Sequence, residues 1–212
     1  AILTTRIASL VWFTIWQAAL SAGLSLLFAI PGAYILYHRS FPGQKFVRAF
    51  ITVPFMLPTI VVAIGFTAFR ELPLMSKLLQ GQGGIPIIIF ANLFMNYSLA
   101  VRIIGGVWTT LDTDLEDATA LDGAGRLRTL VSVTLPQLAH AIASAGALIF
   151  LYCAANFGLV LVLGGASVKT IETEIYIVTT QNFDLAEGAG LVLLQTILTV
   201  LAFVVAQRLS KS

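Results

Sequence analysis

Hydrophobic positions in this chain come in long unbroken blocks, and short stretches between them hold nearly all the charge. No Asp, Glu, Lys or Arg occurs in 7–38, 49–69, 78–101, 129–168 or 188–207. About 20 apolar residues at about 1.5 Å each cross a hydrocarbon core of about 30 Å, so every block is long enough to span. The pattern predicts five transmembrane helices, over about 10–37, 49–69, 85–104, 138–163 and 188–207. After the first block the chain runs HRSFPGQKFVR, a Pro-Gly turn bracketed by His38, Arg39, Lys45 and Arg48. After the second it runs ELPLMSKLLQGQGGIP, polar and glycine-rich enough for a connection.

Composition settles the class. Hydrophobic residues make up 58% of the chain and charged ones 10%, against about 25% charged in a soluble domain. Too little charge is left to cover a water-facing surface, and the chain is expected to be an all-α membrane protein. Cys153, the single cysteine, lies inside an apolar block, which leaves no disulfide framework and no thiol metal site. His38 and His140 fall near span ends without acidic or cysteine partners at ligand spacing, so no metal and no cofactor are expected. A net charge of +2 without a basic run gives no reason to expect nucleic acid. Alternate connections share a side of the membrane. Arg39, Lys45, Arg48, Arg102, Arg126, Arg128, Arg208 and Lys211 fall on one side, and Arg6, Arg70, Lys77 and Lys169 on the other. The richer side is expected to be cytoplasmic, with the N-terminus outside and the C-terminus inside. The chain starts at Ala1 and has no soluble domain at either end, so it is expected to be part of something longer.

One stretch breaks the apolar rule. Residues 115–136 spell LEDATALDGAGRLRTLVSVTLP. Thr113 with Glu116 has capping-box spacing, and Asp112, Asp114 and Asp117 suit the positive end of a helix dipole. Gly123 or Gly125 can close that first helix in the left-handed conformation. A second helix is expected over about 126–134, with Leu127, Leu130, Val131, Thr134 and Leu135 on one face. Pro136 is expected to end it and start the next span. The result is a compact cytoplasmic protrusion, in which the small side chains of Ala118, Ala120, Gly123 and Ala124 allow another protein to approach closely.

That stretch resembles the EAA loop of the membrane subunits of bacterial ABC importers: E-A-A, three residues, G, nine residues, I-x-L-P. Asp117 falls on the Glu, Ala118 and Thr119 on the two alanines, and Gly123 on the glycine. Val133 falls on the Ile, Leu135 on the Leu and Pro136 on the Pro, with no gap. Asp for Glu, Thr for Ala and Val for Ile are departures, and Glu116 can share the acidic role. Five spans with this loop between the third and fourth are similar to the core of the type I importer permease. VPFMLPTIVVAIGF resembles the proline-rich second span of that family, and TIETEIYIVTTQNFDLAEGAG resembles the permeases of thiamine and ferric-iron importers. Those permeases often fuse two halves in one polypeptide, so 1–212 is expected to be one half.

The resemblance implies a bacterial inner-membrane permease without enzymatic activity of its own. Its EAA loop (Glu116, Asp117, Ala118, Thr119, Leu121, Asp122, Gly123, Ala124, Leu135 and Pro136) docks on an ABC ATPase subunit. A second permease half, fused or separate, an extracytoplasmic solute-binding protein and membrane lipid complete the partners. The chain has no GxxxxGK[ST], so ATP hydrolysis falls to a partner. Thiamine and ferric iron lead as substrates, ahead of molybdate, sulfate or a polyamine. A secondary transporter or channel is the alternative from another class. Such carriers place Asp, Glu or Lys in mid-membrane, and the five blocks contain none.

Other features have two readings each. Pro54 and Pro58 bend span two, either as part of a translocation path or as a static kink. Asn92, Asn96, Asn156, Gln195, Ser144 and Tyr152 either bond between helices or meet substrate, and Asn92, Asn96 and Asn156 are the path candidates. KTIETEIYIVTTQ predicts a helix lying along the outer membrane surface, with Ile171, Ile175 and Val178 facing the bundle and Glu172 and Glu174 opposite. Asp184 and Glu187 have capping spacing at the start of span five.

Overall fold

A computed structural model of the protein describes residues 2–79, 84–112, 114–121, 123, 125–165 and 168–209. Among these residues there are helices and no strand. Helix α1 (Ile2–Ala33) continues through a π-helical turn, Tyr34–His38. That wide turn frees the Leu36 carbonyl, which accepts from Gln44 Nε2 at 2.6 Å and Arg48 Nε at 2.7 Å. Helices α2 (Gln44–Met56) and α3 (Thr59–Glu71) follow, then the short α4 (Pro73–Leu78) and the long α5 (Ile85–Trp108). Two helices, α6 (Asp114–Leu121) and α7 (Arg126–Gln137), precede α8 (Ala139–Ala154). The chain ends with α9 (Phe157–Gly164), α10 (Ile171–Thr180) and α11 (Leu185–Leu209).

Helix α5 is the centre. One core joins Ala18, Ala29 and Ala33 of α1 to Ala100 and Ile104 of α5 and to Ala145, Ile149 and Cys153 of α8. Alanine recurs there because lipid gives helices no hydrophobic drive to associate, and small side chains let backbones approach closely. A second core joins Val62 and Ala63 of α3, Ile87, Ile88 and Ala91 of α5, and Leu159, Val160 and Leu163 of α9. The third, Leu10, Ile171, Val178 and Leu191, ties α1 to α10 and α11.

Three spans are unbroken: Thr5–His38, Ile85–Trp108 and Leu185–Val205. The other two expected spans are broken. Span two bends by 98° between Gln44–Met56 and Thr59–Glu71. Pro58 disfavours helical backbone at the residue before it, and Leu57 is extended (ψ 139°). Pro54, by contrast, lies inside α2. Span four was expected to run unbroken over 138–163, but it stops at Ala154 and restarts at Phe157. Asn156 takes the N-cap there and accepts from the Leu159 amide at 3.4 Å. Counting α2 with α3, and α7 with α8 across a 67° bend, each as one span gives up to five spans among the described residues, three of them single helices.

Helix α10 departs further from expectation. It runs antiparallel along the outer half of α11: Thr179 abuts Gly188, and seven residues on, Glu172 faces the Gln195 amide. It therefore stands along the bundle and does not lie across its end. Glu174 sits three residues after Ile171 and four before Val178, so helical geometry puts it on their buried face; it is 2% exposed. Thr170 and Thr173 form a reciprocal capping box at its start. The expected cap on α11 is present, with Asp184 Oδ1 accepting from the Glu187 amide at 3.0 Å.

Candidate functional site

Opposite ends of α8 carry the two groups of residues singled out by the sequence. At its N-terminal end is the charged stretch. Asp112 Oδ1 accepts from the Asp114 amide at 3.0 Å, opening α6. Thr119 Oγ1 bonds back to the Leu115 carbonyl at 2.6 Å within α6. Between the two expected glycines the left-handed role falls to Gly123 (φ 81°), while Gly125 is extended (φ −69°, ψ 155°). Thr113, Asp122 and Ala124 lie outside the described residues, as do the side chains of Glu116, Asp117 and Ala120.

After this elbow α7 runs on past the expected stop at Pro136 to Gln137 and turns by 67° into α8. Proline is at home in the first turn of a helical segment, and Pro136 occupies that place in the Leu135–Gln137 turn. The bend falls instead at Leu138, whose side chain is fully buried. The expected stripe on α7 is split: Thr134 is buried, Leu130 and Leu135 half-buried, and Leu127 and Val131 exposed.

The elbow thus displays apolar side chains among charges. Leu121 is 90% exposed, Leu127 75%, Leu115 56% and Val131 56%. Asp112, Asp114, Arg126, Arg128 and Ala118 are exposed beside them. Lipid does not account for apolar exposure flanked by four charged residues. An apolar patch rimmed by charge is the form of a protein–protein docking surface.

At the C-terminal end of α8 the polar residues of three helices are closed on one another. Asn156 Nδ2 donates to Asn92 Oδ1 at 2.9 Å, and Asn92 Nδ2 donates to Gln17 Oε1 at 3.2 Å. Gln17 Nε2 donates to the Cys153 carbonyl at 2.9 Å, one of the carbonyls freed where α8 stops. Asn96 Nδ2 donates to the Asn92 carbonyl at 2.9 Å and to Cys153 Sγ at 3.4 Å. Gln17, Asn92 and Asn96 are buried and Asn156 partly so. The two span breaks also meet here, since a Cβ on Gly158 would lie 3.3 Å from Ile60 Cγ1. Pro58, Asn92, Asn96 and Asn156 therefore share one joint. Pro54 lies apart, in an apolar cleft of about 410 Å³ with Phe28, Phe50, Phe90, Phe94 and Tyr97. Ser144 and Tyr152 face outward.

Two contributors were not among the sequence candidates. Gln17 is a lone amide in a long apolar block, and only its place opposite Asn92 reveals its use. At the Arg6 end of the bundle, the Arg6 guanidinium bonds both Glu174 and Glu187, the latter at 2.9 Å. Lys169 Nζ lies 3.4 Å from the other Glu174 oxygen. This cluster clasps α1 to α10 and α11, and the buried carboxylate is matched by two cations. Nearby, burial raises the pKa of Glu172, an effect opposed by the facing Gln195 amide. Among the described residues no group of three His, Cys, Asp or Glu could hold a metal ion.

A fold of unbroken and broken spans with a glycine elbow narrows the comparison to known proteins. Residues 7–211 match the model of one family, the binding-protein-dependent transport system inner membrane component. This chain belongs to that family. The thiamine transport system permease protein of Brucella abortus is 31% identical over 204 residues, covering 91% of this chain and 38% of that protein. The corresponding Escherichia coli protein is 32% identical over 210 residues, 94% of this chain and 39% of that protein. A molybdate/tungstate transport system permease of Pyrococcus furiosus is 30% identical over 151 residues, 71% of this chain and 57% of that protein. The chain thus spans about two fifths of the length of the thiamine permeases it matches. Among solved structures, an inward-facing methionine ABC transporter superposes with a TM-score of 0.81 at 16% identity, over 99% of this chain and 96% of that one. An alginate-importing bacterial ABC transporter gives 0.74 at 18%, over 93% and 78%. The fold is that of the type I importer permease, and the chain is a multi-pass inner-membrane component.

Proposed function

We propose that this chain is the transmembrane permease unit of an ATP-driven importer, supplying half of a solute pathway and taking its energy through the elbow at 112–136. The observation that carries the reading is the elbow itself: Leu115, Leu121, Leu127 and Val131 exposed among charges, ahead of a helix that enters the bundle. In this reading the elbow lies in the cytoplasm, the N-terminus outside and the C-terminus inside. Glu116, Asp117, Ala118, Thr119, Leu121, Asp122, Gly123 and Ala124 form the knob that an ABC ATPase grips, and Leu135 and Pro136 lead it into α8. Closure of two ATPases moves the knob, α8 transmits that movement along its length, and the joint at Asn156 receives it. Two states with different ATPase contacts are needed for such coupling. Pro58, Asn92, Asn96 and Asn156 shape the wall of the path where two spans break, and Pro54 bounds the adjoining cleft.

Thiamine is the proposed solute. Relatives named for thiamine transport match over more than nine tenths of the chain, whereas the molybdate/tungstate permease matches over 71%. A second permease unit and an extracytoplasmic binding protein complete the assembly. The test is ATP hydrolysis by the reconstituted full-length transporter with its binding protein, titrated with thiamine, ferric iron and molybdate. Stimulation by thiamine alone is expected. Stimulation by another solute overturns the substrate, and solute uptake without nucleotide overturns the importer.

A further inference from the structure

The bent second span makes a corner, and the corner is lined with rings. Where α1 and α2 meet α5, a cleft of about 410 Å³ is faced by Phe28, Phe50, Phe90, Phe94 and Tyr97, with Pro54 on one wall. Neighbouring groups hold these rings in place. The 98° bend carries α3 across to α5, where Phe66 meets Phe90 and Phe94 edge to face, at 5.7 and 5.6 Å between ring centroids. Tyr97 sets its hydroxyl against Gly32 of α1, where no Cβ would fit. Pro54 brings no N–H for the carbonyl of Phe50 four residues earlier, which leaves an acceptor on the cleft face of α2 without its ordinary helical donor. Among the described residues no charged side chain lines the cleft.

Lipid does not call for such a lining. The exposed side of α11 is mostly aliphatic, with Val192, Leu193, Ile197, Val200 and Leu201, whereas the cleft gathers five aromatic rings. What aromatic faces offer beyond apolar area is negative charge density, and a cation lying over them is held most strongly where water is excluded. The volume falls within the range of about 300–1,000 Å³ usual for small-molecule sites. A flat heteroaromatic cation answers each feature: its charge meets the ring faces, its plane stacks on them, and an amino group donates to the Phe50 carbonyl. Thiamine, the solute proposed above, is such a molecule, a thiazolium joined to an aminopyrimidine. We infer that this cleft is the solute's station within the membrane, a subsite that recognises a flat aromatic cation by its charge. The inference rests on the thiamine reading above and adds where in the chain the solute is held.

The test uses the full-length transporter with its ATPase in vesicles. Leu93→Cys places a thiol on the cleft wall, the native Cys153 being buried, and alkylation of that thiol by a maleimide is timed. Thiamine, or an analogue with a neutral thiophene ring in place of the thiazolium, is supplied on both sides of the membrane. Thiamine is expected to slow alkylation several-fold and the neutral analogue to leave it unchanged. Phe50→Leu, at a ring that is 68% exposed, is expected to raise the thiamine concentration for half-protection roughly tenfold, while Phe50→Tyr, which keeps the ring, leaves it near the parent value. Equal protection by the two compounds overturns recognition by charge, and protection indifferent to Phe50→Leu overturns the aromatic subsite. Absence of protection by thiamine overturns the subsite as well. So does an alkylation rate that follows only the acyl-chain length of the vesicle lipid, which makes the cleft a lipid seat. Thiamine-stimulated ATP hydrolysis is measured on the same vesicles with the binding protein added. Its presence without protection removes this inference alone, and its absence removes the thiamine reading on which the inference rests.

Discussion

The elbow and the asparagine joint stand at the two ends of α8 and treat their side chains in opposite ways. At the joint, polar groups that lipid cannot serve are spent on one another, across three helices and around two broken spans. At the elbow, apolar side chains that water disfavours are left on display, Leu121 at 90% exposure. The first is complete within this chain, whereas the second leaves apolar surface uncovered. The difference sets an end whose polar groups are satisfied inside the chain against one whose apolar side chains, in the importer reading, await a partner. On the importer reading proposed above, it also separates two properties, stability at one end and coupling at the other, joined by a helix of about 24 Å.

The strongest way to break that contrast is to spoil the display without touching the bundle. Leu121→Asp with Leu127→Asp places charge on two of the most exposed apolar positions of the elbow. Truncation of hot-spot residues costs about 2–4 kcal/mol of association, so ATPase capture and transport are expected to fall roughly 30-fold or more. The unfolding temperature in detergent should stay put, because neither side chain packs inside. A matching drop in that temperature would show the elbow to be part of the fold and not a docking surface.

The complementary change is Asn92→Leu. It strips Gln17 Oε1 and Asn156 Nδ2 of their partner, leaving one buried and one half-buried amide short of a bond. A loss of about 2 kcal/mol is expected, near the sum of modest membrane hydrogen bonds and the cost of unmatched groups. Unfolding midpoints should fall by about 5 °C, while ATPase capture by the elbow should not change. Lost capture at unchanged stability would reverse the two roles.

How much of this was legible in the sequence depended on the range of each interaction. The spans, the class, the helix–glycine–helix elbow and the α11 cap follow from runs, spacings and local capping, all of which act within a few residues. The break at Pro58 was visible as a kink, yet a bend of 98° also required α9 to receive α3, a long-range fact. The break at Asn156 lay hidden in an apolar run because its signal is one amide, with no proline. Glu174 was misplaced because its charge outweighed its position: the i+3 spacing from Ile171 puts it inside, and Arg6, 168 residues away in the chain, makes that burial tolerable. Gln17 was missed for the same reason, since its partner lies 75 residues away. Pairings between distant segments carry no local mark.

The smallest expected effect sharpens the contrast most. Gly123 holds φ at 81°, and a Cβ added there meets no atom within 4 Å. Gly123→Ala therefore brings no clash, only the strain of a left-handed backbone on a residue that resists it, about 1 kcal/mol. That strain is local to the elbow, so the bundle's unfolding midpoint should move by no more than about 2 °C. If the elbow acts by holding α6 and α7 at a set angle, even this change should weaken ATPase capture several-fold, and Gly125→Ala should not, because Gly125 is extended and alanine adopts that conformation freely. Equal effects of the two substitutions on capture would mean that the glycines serve close approach and not geometry. The elbow would then be a soft tether, and α8 could not carry its movement to the joint.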